Sequence, residues 1–312
     1  HSTRSTRRGT VQQQEETMER TTNDGRREIR KVRHKGERPI YWVMFAINSI
    51  IWLGIIIVTI VVDNMDDFSE VVENTDIPDL LEGLDKGFAF LMIAYIIVLF
   101  LCVLYQAYAK ELSYSVKVTS KNFPEIYEKS VEFARLLGLK KVPEVYITQQ
   151  NGILNAFASW VLGRRYIQLN AEIVDIAYME NKDFDVVYFT MAHEFGHQYF
   201  NHPTLLHNFS IFFARIIPLV GPMYSRSQEY SADRVAQVLT EDVGIRCMAM
   251  LTVGRHLYPY VDVDDYLQNI YKKPNVLERI ARWIVNLMTD HPINPLRVRA
   301  IVDPEKKSGR LI

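Results

Sequence analysis

Two histidines flanking a glutamate, His193-Glu194-Phe195-Gly196-His197, carry the clearest chemical signal in this chain of 312 residues. On a helix that spacing stacks both imidazoles one turn apart on one face, where they can share a divalent ion such as zinc. Glu194 then lies about 100° round from His193, beside the ion without ligating it, which suits a general base acting on a water. Residues 183–190 lead in with Asp183 as a cap and a helix-compatible apolar pattern. The same spacing also arises by chance, so the case turns on a third ligand.

A catalytic zinc takes three protein ligands and keeps a fourth position open. The metzincin arrangement needs Gly at 200 and His at 203, and the chain has Phe200 and Pro203, so that class is excluded. His202 sits near the expected helix end but out of phase with His193 and His197. Glu229 and Asp233, in Ser227-Gln228-Glu229-Tyr230-Ser231-Ala232-Asp233, share one face of a separate helical stretch. One carboxylate could ligate while the other holds an imidazole from behind. A solvated acidic face has the same pattern.

These residues need elements to position them. Residues 124–137 read as a helix stopped by Gly138, and 143–148 as a strand. Residues 153–161 and 165–169 read as a hairpin about Leu162-Gly163-Arg164. Helical patterns then cover 171–179, the metal helix from Asp183, 227–239, 243–257, 276–288 and 295–302. The expected class is α+β, mainly helical, with a small antiparallel sheet.

The rest of the chain is organised by hydropathy and charge. Residues 1–38 hold eleven Lys and Arg with no apolar period, and are expected to form a disordered basic tail. An uncharged apolar run of 23 residues follows at 40–62, and a second at 88–109, each long enough at about 1.5 Å per residue to cross a bilayer core of about 30 Å. The segment between them, 63–87, carries nine acidic residues against Lys86 alone. Basic residues before the first run place the N-terminus in the cytoplasm and the acidic loop outside. Residues 39–62 and 88–109 are thus expected as transmembrane helices, returning residues 110–312 to the cytoplasm as the catalytic domain. That domain has 24 basic and 22 acidic residues, a balance that does not suggest nucleic-acid binding. Residues 203–222 are apolar but broken by Arg215, Pro218 and Gly221, and read as a hairpin packed on the domain or resting on the membrane. Cys102 and Cys247 are expected as free thiols.

The paired signatures His193–His197 and Glu229–Asp233 resemble those of the M48 metallopeptidases, the gluzincins that include HtpX-like membrane proteases. Asn155-Ala156-Phe157-Ala158 and His291-Pro292 with Arg297 fit the same family, in the same order. The resemblance implies a zincin-like metalloprotease domain behind two membrane helices. It also implies one zinc per chain on His193, His197 and Glu229, with Asp233 orienting a ligand histidine. Glu194 would be the general base for a zinc-activated water, His291 would donate to the oxyanion, and Arg297 would support it or nearby carboxylates. Asn155 and Ala156 would lie on an edge strand holding substrate in extended form. The implied activity is a zinc endopeptidase, and the two membrane spans, by tethering the site at the bilayer, point to membrane or membrane-proximal proteins as its substrates. A Ste24-like protease of prenylated C-termini and a non-enzymatic membrane-tethered peptide-binding adaptor are the alternatives.

Overall fold

The computed structural model describes residues 29–64, 86–149, 153–179, 182–241, 243–303 and 309–311. Most of the acidic loop, and the basic tail up to residue 28, lie outside these.

Two long apolar helices, α1 (Glu37–Asn64) and α2 (Lys86–Ser113), match the two uncharged runs. Each is long and apolar enough to cross a membrane. Only 11% and 6% of their most apolar windows are buried, which argues against a core helix pair.

Helix α3 (Pro124–Leu137) opens with Pro at its first turn and ends at Gly138, whose φ of 63° lets its N–H bond back to Ala134 and Arg135. Four strands follow the order β1-β2-β4-β3: β1 (Ser115–Lys117), β2 (Glu144–Thr148), β3 (Ala156–Val161) and β4 (Arg164–Asn170). β3 and β4 form the expected hairpin, with Val161 opposite Arg164. The sheet is mixed rather than wholly antiparallel, because β2 runs parallel to β4, with Glu144 opposite Tyr166. Side-chain alternation reports which face is buried and carries no information on strand direction.

Helix α4 (Ala171–Tyr178) leads to α5 (Phe184–Tyr199), the expected metal helix. Asp183 caps it, accepting from the Val186 N–H at 3.4 Å. α5 is buried over most of its surface, with Val187, Phe189, Met191 and Phe195 in the main core beside Phe133 of α3 and Ile167 of β4. Across α5 lies α8 (Val220–Thr240), longer at its start than the 227–239 expected, since Val220, Gly221 and Pro222 form its first turn. Gly196 makes the approach possible: a Cβ there would meet Ala232 Cα at 3.0 Å and Val235 Cβ at 3.2 Å.

Within residues 203–222, expected as a hairpin, two short helices form, α6 (Leu205–Phe209) and α7 (Phe212–Ile216), folded against the first half of α1. Met44 of α1 packs with Ile211, Ala214 and Tyr224, and Asn48 bonds both the Phe209 carbonyl and the Phe213 N–H. Among the described residues the α-helices α9 (Gly244–Val253), α10 (Val263–Tyr271), α11 (Val276–Met288) and α12 (Asn294–Val302) follow. Gly254, at φ 89°, ends α9 short of the expected residue 257. α10 was not expected from the sequence, and a capping box of Asn275 and Glu278 starts α11.

Residues 29–38 differ from the expected disordered tail. Ile29 joins the main core, and the His34 N–H donates to Ser231 Oγ at 2.9 Å. Charge density there reads as a solvated tail, but Ile29 and Glu37 are buried by partners far along the chain.

Candidate metal centre

His193 and His197 project from one face of α5 toward Glu229 of α8. Their Nε2 atoms lie 3.1 Å apart, and each is 3.4 Å from a Glu229 carboxylate oxygen. Ligand atoms bonded to a tetrahedral zinc at about 2.0–2.1 Å stand about 3.3 Å from one another. The two nitrogens, and each nitrogen with its own Glu229 oxygen, fall close to that edge length, and one donor atom from each of the three residues can be chosen within 4.8 Å of the others. The residues present fit zinc.

The imidazoles are held from behind. His193 Nδ1 lies 2.8 Å from Asp233 Oδ1, and Arg297 clamps the same carboxylate with bonds of 2.8 and 2.6 Å. A carboxylate on Nδ1 selects the tautomer that leaves Nε2 free for a metal. Burial alone would raise Asp233, but the Arg297 guanidinium and the bond to His193 hold it at about 2. Burial would lower His193, yet Asp233 and Glu229 on its two nitrogens push it up to about 10, so this imidazole would have to give up a proton to ligate a metal. Glu229 is held well below the usual carboxylate range: burial opposes ionisation, and hydrogen bonds from His193, His197 and His291 outweigh it.

His197 Nδ1 finds a different partner, His202 Nδ1 at 2.8 Å, and His202 Nε2 in turn meets Glu37 Oε1 at 3.1 Å. Burial pushes His202 down to about 4, against the pull of Glu37, so it is neutral near pH 7.

A cleft of about 660 Å³ opens on this group, bordered by Asn155, Ala156, Glu194, His291 and Arg297. Glu194 is buried and follows His193 directly on α5. His291 sits at the exposed rim, its Nδ1 3.0 Å from Glu229 Oε2. Asn155 immediately precedes β3, an edge strand of the sheet, and caps its own turn by accepting from the Ala156 N–H at 2.9 Å. Gln198, one residue past His197, donates to the Ser159 and Tyr166 carbonyls and so fixes β3 to the metal helix. Arg297 was expected to support either His291 or neighbouring carboxylates; its side-chain hydrogen bonds go to the Asp233 carboxylate.

The sequence matches peptidase family M48 over residues 120–207 and 204–305, a span from just before α3 to just past α12 that contains the whole His-His-Glu group. The chain belongs to peptidase family M48. Members of this family are metal-dependent peptidases, generally zinc enzymes, and this M48 peptidase is accordingly a metallopeptidase. No curated protein and no solved structure matches the chain.

Sequence reasoning weighed His202 only as a third ligand and gave Glu37 no part at all. The spacing that makes His202 a poor ligand, five residues past His197, is what lets the chain turn at Asn201 (φ 63°) and bring its ring back beside His197. Nothing local points from Glu37 to a partner 165 residues away.

Proposed function

We propose that this M48 peptidase is a membrane-anchored zinc endopeptidase that hydrolyses membrane or membrane-proximal proteins. The observation that carries the reading is the convergence of His193, His197 and Glu229 at metal-ligand spacing with Glu194 on the same cleft. When bound, zinc supplies Lewis-acid polarisation and acidifies water. Glu194 takes a proton from the attacking water and returns it to the leaving amine. Substrate lies extended along β3, where Asn155 and Ala156 border the cleft and main-chain bonds hold it with little side-chain selectivity. His291, whose protonated form is favoured by the adjacent Glu229, donates to the oxyanion from the rim.

Helices α1 and α2 supply the anchor. Their flanking charges put the N-terminus and the peptidase domain in the cytoplasm, with the acidic loop across the membrane. A site tethered at the bilayer meets membrane-associated chains at high effective concentration.

Purified wild type and Glu194→Gln, compared for zinc content and for cleavage of casein or an unfolded membrane protein, test the reading. Equal zinc with cleavage lost in the variant is expected. Cleavage by both at the same rate removes Glu194 as the base, and a wild type that takes up no zinc removes the metal mechanism.

A further inference from the structure

Glu37 is the first residue of α1 and is only 2% exposed, at the head of a helix whose later residues are largely bare. A buried carboxylate is costly unless donors surround it. Here two donate, His202 Nε2 at 3.1 Å and the Ser231 hydroxyl, and Arg33 Nε stands 3.1 Å away as an ion-pair partner. Two of these belong to the machinery that carries the metal ligands. His202 follows α5, and Ser231 stands on α8 between Glu229 and Asp233.

The proton positions along this chain of contacts are fixed by elimination. With His197 Nε2 given to the metal, as the zinc reading requires, its Nδ1 carries the hydrogen and donates to His202 Nδ1. His202, accepting at Nδ1, has its own hydrogen on Nε2, where Glu37 is placed to accept it. Each bond needs the next, and an ionised Glu37 closes the series. His193 is backed directly by a carboxylate, Asp233, whereas His197 is backed by a histidine that in turn meets a carboxylate from α1.

We propose that Glu37 is a positioning residue of the metal centre, orienting His197 through His202, so that the first apolar helix and the zinc ligands form one hydrogen-bonded unit. The proposal rests on the reading of His193, His197 and Glu229 as zinc ligands. It goes beyond that reading because Glu37 lies outside residues 120–305, where the family match falls. A peptidase domain separated from α1 would keep all three ligands and lose the orientation of one.

The test uses the full chain in detergent or nanodiscs. Zinc affinity is measured by chelator competition for wild type, Glu37→Ala, His202→Gln and the double variant. Cobalt(II) replaces zinc in parallel, and its visible absorption reads the ligand geometry. Loss of an outer partner of a metal ligand costs about 10- to 100-fold in affinity. Each single variant is expected to fall in that range, with the double within about 2-fold of His202→Gln, because removal of Glu37 adds little once its intermediary is gone. If Glu37→Ala does not fold, Glu37→Gln keeps the shape and removes the charge, and its cobalt band is expected to shift. Wild-type affinity in folded Glu37→Ala, additive losses in the double variant, or an unmoved cobalt band in Glu37→Gln would each overturn the proposal while leaving the peptidase reading intact. A wild type that binds no zinc takes both down.

Discussion

Replacing Arg297 by Met keeps the length of the side chain and deletes its charge, leaving the Asp233 carboxylate, 1% exposed, with His193 as its remaining described hydrogen-bond partner. Removing one member of a buried ion pair costs about 3–5 kcal/mol, chiefly the penalty of the stranded charge. In a domain of this size each kcal/mol lowers Tm by about 2–4 °C, so the variant is expected to melt about 6–20 °C below wild type. Melting is followed by circular dichroism in EDTA, since bound zinc stabilises the native state by mass action and would obscure the comparison. The pH dependence has a definite sign. Asp233 is held at about 2, so the stability it contributes is present above the ordinary Asp value and is lost as pH falls through about 2. Without Arg297 the carboxyl rises and takes up a proton in milder acid, so the gap between the two melting curves is widest near neutrality and narrows on acidification. A variant within about 2 °C of wild type at pH 7, or a gap that widens in acid, would refute Arg297 as the counter-charge of Asp233.

Two other substitutions probe how the site is held. Gly196→Ala gains about 1 kcal/mol of helix propensity but places a methyl 3.0 Å from Ala232 Cα on the helix bearing Glu229. Overpacking of this kind costs about 1–3 kcal/mol, so lower Tm and weaker zinc binding are expected together; a more stable variant with unchanged zinc affinity would contradict the close-packing argument. Arg226, fully buried, donates to the carbonyls of Asn286 and Thr289 at 2.6 and 2.7 Å and to Leu311. Arg226→Met should free the segment after α11 that carries His291, seen as faster limited proteolysis within residues 286–311; unchanged cleavage would show that other contacts hold it.

Much of this peptidase is legible in one dimension because the signals are local. A 3.6-residue period, an Asp cap and Gly138 mark α3 and α5, and two uncharged runs mark α1 and α2. The His193 and His197 pair needs only a helix to form, so spacing alone places it. Glu229 is another matter: its spacing with Asp233 equally suits a solvated face, and only resemblance to a family singled it out. The folded chain brings it within reach by laying α8 across α5 at Gly196, a packing event between segments that share no local code.

Sequence by itself determined most of the elements, though not β1 or α10, and the nature of the donors, since backbone periodicity and side-chain chemistry are properties of a few neighbouring residues. Tertiary structure alone decided that β2 runs parallel to β4, that Arg297 serves Asp233, and that Ile29 and Glu37 leave the solvent, Glu37 to meet His202 beside His197. Each of these outcomes is set by which distant surfaces exclude water from one another, and a charged residue such as Glu37 looks solvated until the fold supplies its donors.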